Sequence, residues 1–104
     1  MSKFSFIDLT PDLILDAIES VGVYAESGLL ALNSYENRVY QFKADDGLRY
    51  VVKFYRPERW SKEQIQEEHD FAFELADAEV PVVAPILYNG QSLFEHEGYL
   101  FVLF

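Results

Sequence analysis

The sequence predicts an α+β domain: one antiparallel sheet of about five strands, a long packing helix and a short N-terminal helix. Three observations carry that prediction. Two segments show apolar residues at helical spacing behind strong N-terminal caps, the segments between them alternate with period two, and Gly-containing turns fold those alternating segments into hairpins. The chain has 104 residues, enough for one small core. Half of them are apolar, which excludes a disordered segment.

Thr10-Pro11-Asp12 reads as N-cap, first helical residue and first-turn acid. Leu13, Ile14, Ala17 and Ile18 follow at helical spacing and Gly22 ends the element, so residues 11–21 are the short amphipathic helix. From Val23 the period becomes two, predicting a first strand to Asn33 with a bulge or bend at Ser27-Gly28. Ser34-Tyr35-Glu36 is a tight connection into a second strand, Asn37 to Lys43. Asp45-Asp46-Gly47 is a hairpin turn into a third, Leu48 to Tyr55, which Pro57 stops. Ser61 and Gln64 have the spacing of a capping box and open the long helix, which runs to about Ala78. Beyond the connector Val80-Pro81-Val82, a fourth strand is expected over Pro85 to Tyr88. Asn89-Gly90 turns it, Ser92 to Glu95 returns, and Glu97-Gly98 leads into the final run Tyr99 to Phe104. No internal repeat or low-complexity linker interrupts this order.

Composition narrows the function classes. Eighteen Asp and Glu against eight Lys and Arg give a net charge of −10, which disfavours nucleic-acid and membrane-surface partners. Five of the eight cations, Arg49, Lys53, Arg56, Arg59 and Lys62, fall in one short stretch. That stretch is either a patch for an anionic small molecule or ordinary solvation. The absence of cysteine removes disulfides, thiolate catalysis and zinc-thiolate sites. Met1-Ser2-Lys3-Phe4 lacks a signal-peptide core and no run approaches spanning length, so the expected location is cytoplasmic. Aromatics make up 16%, with nine Phe and seven Tyr. They read either as strands packed on a helix or as a surface to be covered by further chain. The apolar finish at Phe101 to Phe104 reads as a chain cut short.

Two charged residues stand in apolar settings. Lys53 interrupts Val51-Val52-Lys53-Phe54-Tyr55, sharing a face with Val51 and Tyr55. Taken alone it would snorkel to the sheet edge. On the long helix, Ile65, Ala72, Leu75 and Ala76 form an apolar stripe, and Glu68 falls within it while Glu67 points away. A carboxylate so placed needs a cation, and Lys53 is the one in the third strand. A strand lysine held by a helix glutamate is the pair that protein-kinase-like folds set against ATP phosphates. A purely structural ion pair is the alternative. The hairpin Leu32 to Val39 stands where a phosphate-covering loop belongs, though it contains no glycine. Its Asn33, Ser34 and Asn37 offer hydrogen-bonding groups that also occur in ordinary turns.

Longer runs carry a resemblance. Leu32-Asn33-Ser34-Tyr35-Glu36-Asn37-Arg38-Val39-Tyr40-Gln41-Phe42, Val51-Val52-Lys53-Phe54-Tyr55-Arg56-Pro57-Glu58-Arg59-Trp60 and Glu67-Glu68-His69 resemble the bacterial stress response kinases. These are cytoplasmic Ser/Thr protein kinases with the aminoglycoside phosphotransferase and choline kinase fold, and the likeness covers nearly the whole chain. It implies that residues 1–104 are an N-terminal ATP-binding lobe. Ser34 would contact ATP phosphate, with Tyr35 and Asn37 shaping the loop. Lys53 would bind the α- and β-phosphates with Glu68 as partner. Val39 and Val51 would form the apolar ceiling over adenine, and Phe104 would begin the hinge whose backbone bonds the base. The resemblance also implies that the catalytic Asp and the Mg2+ ligands belong to a C-terminal lobe absent here. No catalytic residue and no metal ligand are then expected in this chain, which alone should be inactive and prone to self-association.

Other readings compete. A metal site at Glu95, His96 and Glu97 is weak because neighbouring side chains on a strand or turn point apart. A non-enzymatic module binding another protein through its aromatic sheet and final strand would not need Lys53 for phosphate. A small-molecule kinase of the same fold would differ in the lobe that holds the acceptor.

Overall fold

The computed structural model describes residues 9–32, 37–55, 61–79 and 84–104. The expected Ser34-Tyr35-Glu36 connection, the stop at Pro57, two of the clustered cations (Arg56 and Arg59) and the Val80-Pro81-Val82 connector lie outside them. Helix α1 (Pro11–Ser20) begins where its cap predicts. The Thr10 hydroxyl accepts a hydrogen bond from the Leu13 amide at 3.2 Å, and Gly22, with φ of 92°, ends the helix.

The sheet has five strands: β1 (Leu30–Leu32), β2 (Arg38–Lys43), β3 (Arg49–Phe54), β4 (Phe94–His96) and β5 (Tyr99–Leu103). Their spatial order is β1-β2-β3-β5-β4, and every neighbouring pair is antiparallel. The β2–β3 turn is set by Gly47 at φ 85° and by Asp46, whose carboxylate accepts bonds from the Leu48 amide and the Tyr50 hydroxyl. These bonds hold the Asp46 carboxyl below its ordinary pKa, and the same contact pushes the Tyr50 phenol up to about 12.

Two strand expectations are corrected. The first strand, expected from Val23 to Asn33, is shorter, and the bulge expected at Ser27-Gly28 lies one residue earlier, at Glu26-Ser27. The Glu26 and Ser27 amides both bond to the Lys43 carbonyl, at 2.8 and 3.2 Å, so two residues oppose one. Such a bulge leaves a single bridge at Ala25 and Ala44 before β1 begins at Leu30. Pro85 to Tyr88 is not a strand. Pro85 has no amide to donate, Ile86 makes a single bond to the Leu103 carbonyl, and Tyr88 bridges only to Gln91 across the Asn89-Gly90 turn.

Helix α2 (Lys62–Asp77) has both capping-box bonds: the Gln64 amide to Ser61 Oγ at 3.1 Å and the Ser61 amide to Gln64 Oε1 at 2.9 Å. The hydrophobic residues divide between the two faces of the sheet. On one face Phe42, Val52, Phe54, Phe101 and Leu103 pack with Ile14, Ala17 and Ile18 of α1. The aromatic rings line up there, with centroids 5.3 Å apart for Phe54 and Phe101 and 5.6 Å for Phe94 and Phe101. Much of the aromatic content is therefore an ordinary core under the short helix. On the other face Tyr55, Leu93 and Val102 pack with Ile65 of α2. Among the described residues no helix is long and apolar enough to cross a membrane.

Candidate functional site

Pairing register brings four of the candidate residues onto one face of the sheet. Val39 stands opposite Lys53, and Lys53 opposite Val102. One row away Gln41 stands opposite Val51, and Val51 exchanges two backbone bonds with Phe104, at 2.8 and 3.1 Å. Because side chains alternate, Val39, Val51, Lys53 and Phe104 share the face that α2 partly covers. Val39, Val51 and Phe104 are half-buried, and neighbouring Leu30 and Leu32 are exposed. The result is an apolar strip beside an ammonium. Neither of two surface clefts, one lined by Lys62, Leu93, Glu95 and Leu100 and one by Leu9, Ile14, Leu29 and Tyr40, is lined by Lys53.

The Lys53 side chain is 23% exposed and that of Glu68 66%. Their closest approach, Nζ to Oε1, is 4.0 Å, the outer limit of an ion pair. The Lys53 ammonium also lies 4.9 Å from the centre of the Tyr55 ring and 5.6 Å from that of Phe104. The helix phase read from the sequence is corrected here. Glu68 is paired with Lys53 but is not buried in the stripe, and Ala76 is exposed too. The inward positions of α2 are Ile65 and His69. One residue of helix is a rotation of about 100°, so turning His69 inward leaves Glu68 at the rim, largely in solvent but within reach of Lys53.

His69, which the sequence places only at the edge of the Glu68 stripe, is fully buried. Its Nδ1 lies 2.8 Å from Ser92 Oγ and its Nε2 lies 3.1 Å from the Tyr55 hydroxyl. His69, Ser92 and Tyr55 are all buried. Each hydroxyl can donate or accept, so a neutral imidazole is satisfied in either tautomer, whereas a carboxylate there would lose its hydration. Burial holds the His69 pKa below its ordinary 6.5, and Lys53 pushes the same way against Glu68 and Asp70. Burial, with Glu68 behind it, raises the Tyr55 phenol well above its usual range. The signal available in the sequence was position i+4 from Ile65, where His69 repeats the inward direction.

Ser34 and Tyr35 lie outside the described residues. Asn37 is half-buried and precedes β2 by one residue. The Phe104 amide and carbonyl are both bonded to Val51, and its ring lies on the Lys53 face. Among the described residues no group of three or more His, Asp or Glu is placed to hold a metal ion.

Comparison with known proteins supplies the family. The profile of the phosphotransferase enzyme family matches residues 28–104. The chain is 56% identical over 103 residues to Stress response kinase A of Escherichia coli (strain K12). It is 57% identical over 103 residues to the Serine/threonine protein kinase RdoA of Salmonella typhimurium (strain LT2). In both cases the match takes in 99% of this chain and 31% of the relative, so the chain spans about a third of their length. With its five-stranded antiparallel sheet and two helices, the chain belongs to the phosphotransferase enzyme family.

Proposed function

We propose that the chain is the ATP-binding lobe of a Ser/Thr protein kinase acting in stress response, whose catalytic lobe corresponds to the remaining length of its relatives. The observation that carries this reading is the half-buried Lys53 ammonium beside the apolar strip of Val39, Val51 and Phe104. A flat apolar base fits the strip, and a triphosphate extending from it reaches the ammonium. Lys53 then acts as a point charge on the α- and β-phosphates, with Glu68 restraining it from the helix side. Ser34 contacts the phosphates, with Tyr35 and Asn37 shaping the loop that carries it. The backbone bonds to adenine come from the hinge that Phe104 begins.

When bound, ATP supplies the transferable γ-phosphoryl group and Mg2+ neutralises its charge. Carboxylates of the catalytic lobe hold that Mg2+ and accept the proton of the acceptor hydroxyl, so the 104 residues alone are inactive. A protein acceptor is favoured over a small molecule by the relative called a serine/threonine protein kinase. The protein works in the cytoplasm, and the exposed apolar surface of this lobe meets its own catalytic lobe or, without it, a second copy.

The test is Lys53→Ala in the full-length protein, assayed for transfer of labelled γ-phosphoryl and for binding of a fluorescent ATP analogue. Transfer should fall by at least about a hundredfold, the size of one lost charge-stabilising contact in the transition state, and ATP binding should weaken with it. Full activity and binding in the variant would exclude an ATP site at Lys53 and favour the interaction module.

A further inference from the structure

Four side chains form a closed loop across the α2–β3 junction. Lys53 sits over the Tyr55 ring at 4.9 Å, the Tyr55 hydroxyl meets His69 Nε2 at 3.1 Å, and His69 is the chain neighbour of Glu68. Glu68 returns to Lys53 at 4.0 Å. The links are unequal. The Lys53–Glu68 contact is long and largely exposed on the acid's side, a geometry that rarely holds two elements together. The Tyr55–His69–Ser92 chain is buried and joins the end of β3, α2 and the segment before β4. Among the described residues, α2 has just two buried side chains, Ile65 and His69. Ile65 offers contact without direction. The imidazole, bonded at both nitrogens, fixes the rotation of the helix about its axis.

We propose that His69 is a positioning residue for the phosphate-binding lysine. Through Tyr55 and Ser92 it sets the rotation of α2 so that Glu68 faces Lys53, and it holds the Tyr55 ring beneath the ammonium. This rests on the reading of Lys53 as the ATP-phosphate ligand. The groups facing the imidazole are Lys53 of β3, Tyr55 one residue past it, Ser92 before β4, and Glu68 and Asp70 of its own helix.

The experiment uses steady-state kinetics of the full-length kinase with ATP and the phosphoacceptor varied separately. Tyr55→Phe keeps the ring under Lys53 and removes only the hydroxyl. His69→Asn keeps a polar group near Ser92 and withdraws it from Tyr55, and His69→Gln restores the reach toward Tyr55. Tyr55→Phe and His69→Asn should each raise the KM for ATP about fivefold, the scale of one hydrogen bond, with the acceptor KM unchanged. His69→Gln should recover most of that loss, and adding Tyr55→Phe to His69→Asn should add little. A residue that merely stabilises the fold would lower the active fraction and leave both KM values alone. Wild-type KM values in Tyr55→Phe and His69→Asn would overturn the proposal, provided Lys53→Ala is inactive in the same assay. If Lys53→Ala stays active, the ATP-site reading fails and this proposal fails with it.

Discussion

Replacing Glu68 with Ala separates two accounts of the Lys53–Glu68 pair by magnitude. If the carboxylate were buried, as helical phase alone suggested, removing it would strand a buried ammonium and cost about 3–5 kcal/mol. The structure instead leaves the Glu68 side chain 66% exposed and 4.0 Å from Lys53 Nζ. Two unit charges at that separation attract by about 1 kcal/mol in a water-like dielectric, before the entropy of holding two long side chains is subtracted. Glu68→Ala should therefore destabilise the fold by less than about 1 kcal/mol. Raising the salt to about 1 M, where screening acts within about 3 Å, should erase even that difference. The assay is urea unfolding followed by circular dichroism, run on wild type, Glu68→Ala and Glu67→Ala. Activity should separate the two acids where stability does not: in the full-length protein phosphotransfer falls in Glu68→Ala and is unchanged in Glu67→Ala. A stability loss near 3 kcal/mol that survives high salt would refute the exposed-pair geometry.

Other expectations follow from the same coordinates. Phe54, fully buried between Phe101 and Tyr99, should cost about 3–5 kcal/mol as Phe54→Ala, whereas exposed Phe71→Ala should stay within about 0.5 kcal/mol by thermal unfolding. Ser61→Ala removes one half of the α2 capping box and should lower stability by about 1 kcal/mol, with Ser61→Asp largely retaining it. The pH dependence comes from His69. Its folded pKa lies below the ordinary 6.5, so between those values the unfolded chain binds more protons than the folded one. Stability is then complete above about pH 6.5 and declines as the pH falls toward the folded value. His69→Gln should flatten the part of this slope that unfolding curves show below pH 6.5, and an unchanged slope would place the titrating group elsewhere.

Most of the local architecture was legible from the chain alone, because it depends on residues close in sequence. Thr10, Ser61 and Gln64 cap the helices they precede, Gly47 and Gly98 turn the hairpins they sit in, and Lys53 stands out as a charge inside an apolar strand. What lay beyond the sequence were the decisions made by packing. Helical periodicity locates an apolar stripe but leaves its centre uncertain by about one residue, and that step of about 100° exchanges Glu68 for His69 at the buried position. Only the packed structure shows that Tyr55 and Ser92, 14 and 23 residues away from His69, supply the hydroxyls that make an imidazole the better buried group. Long-range pairing likewise set Phe104 beside Val51, and packing placed the aromatic row under α1. Local propensity sees a few neighbours along the chain, whereas the identity of a buried face depends on which distant groups can satisfy it.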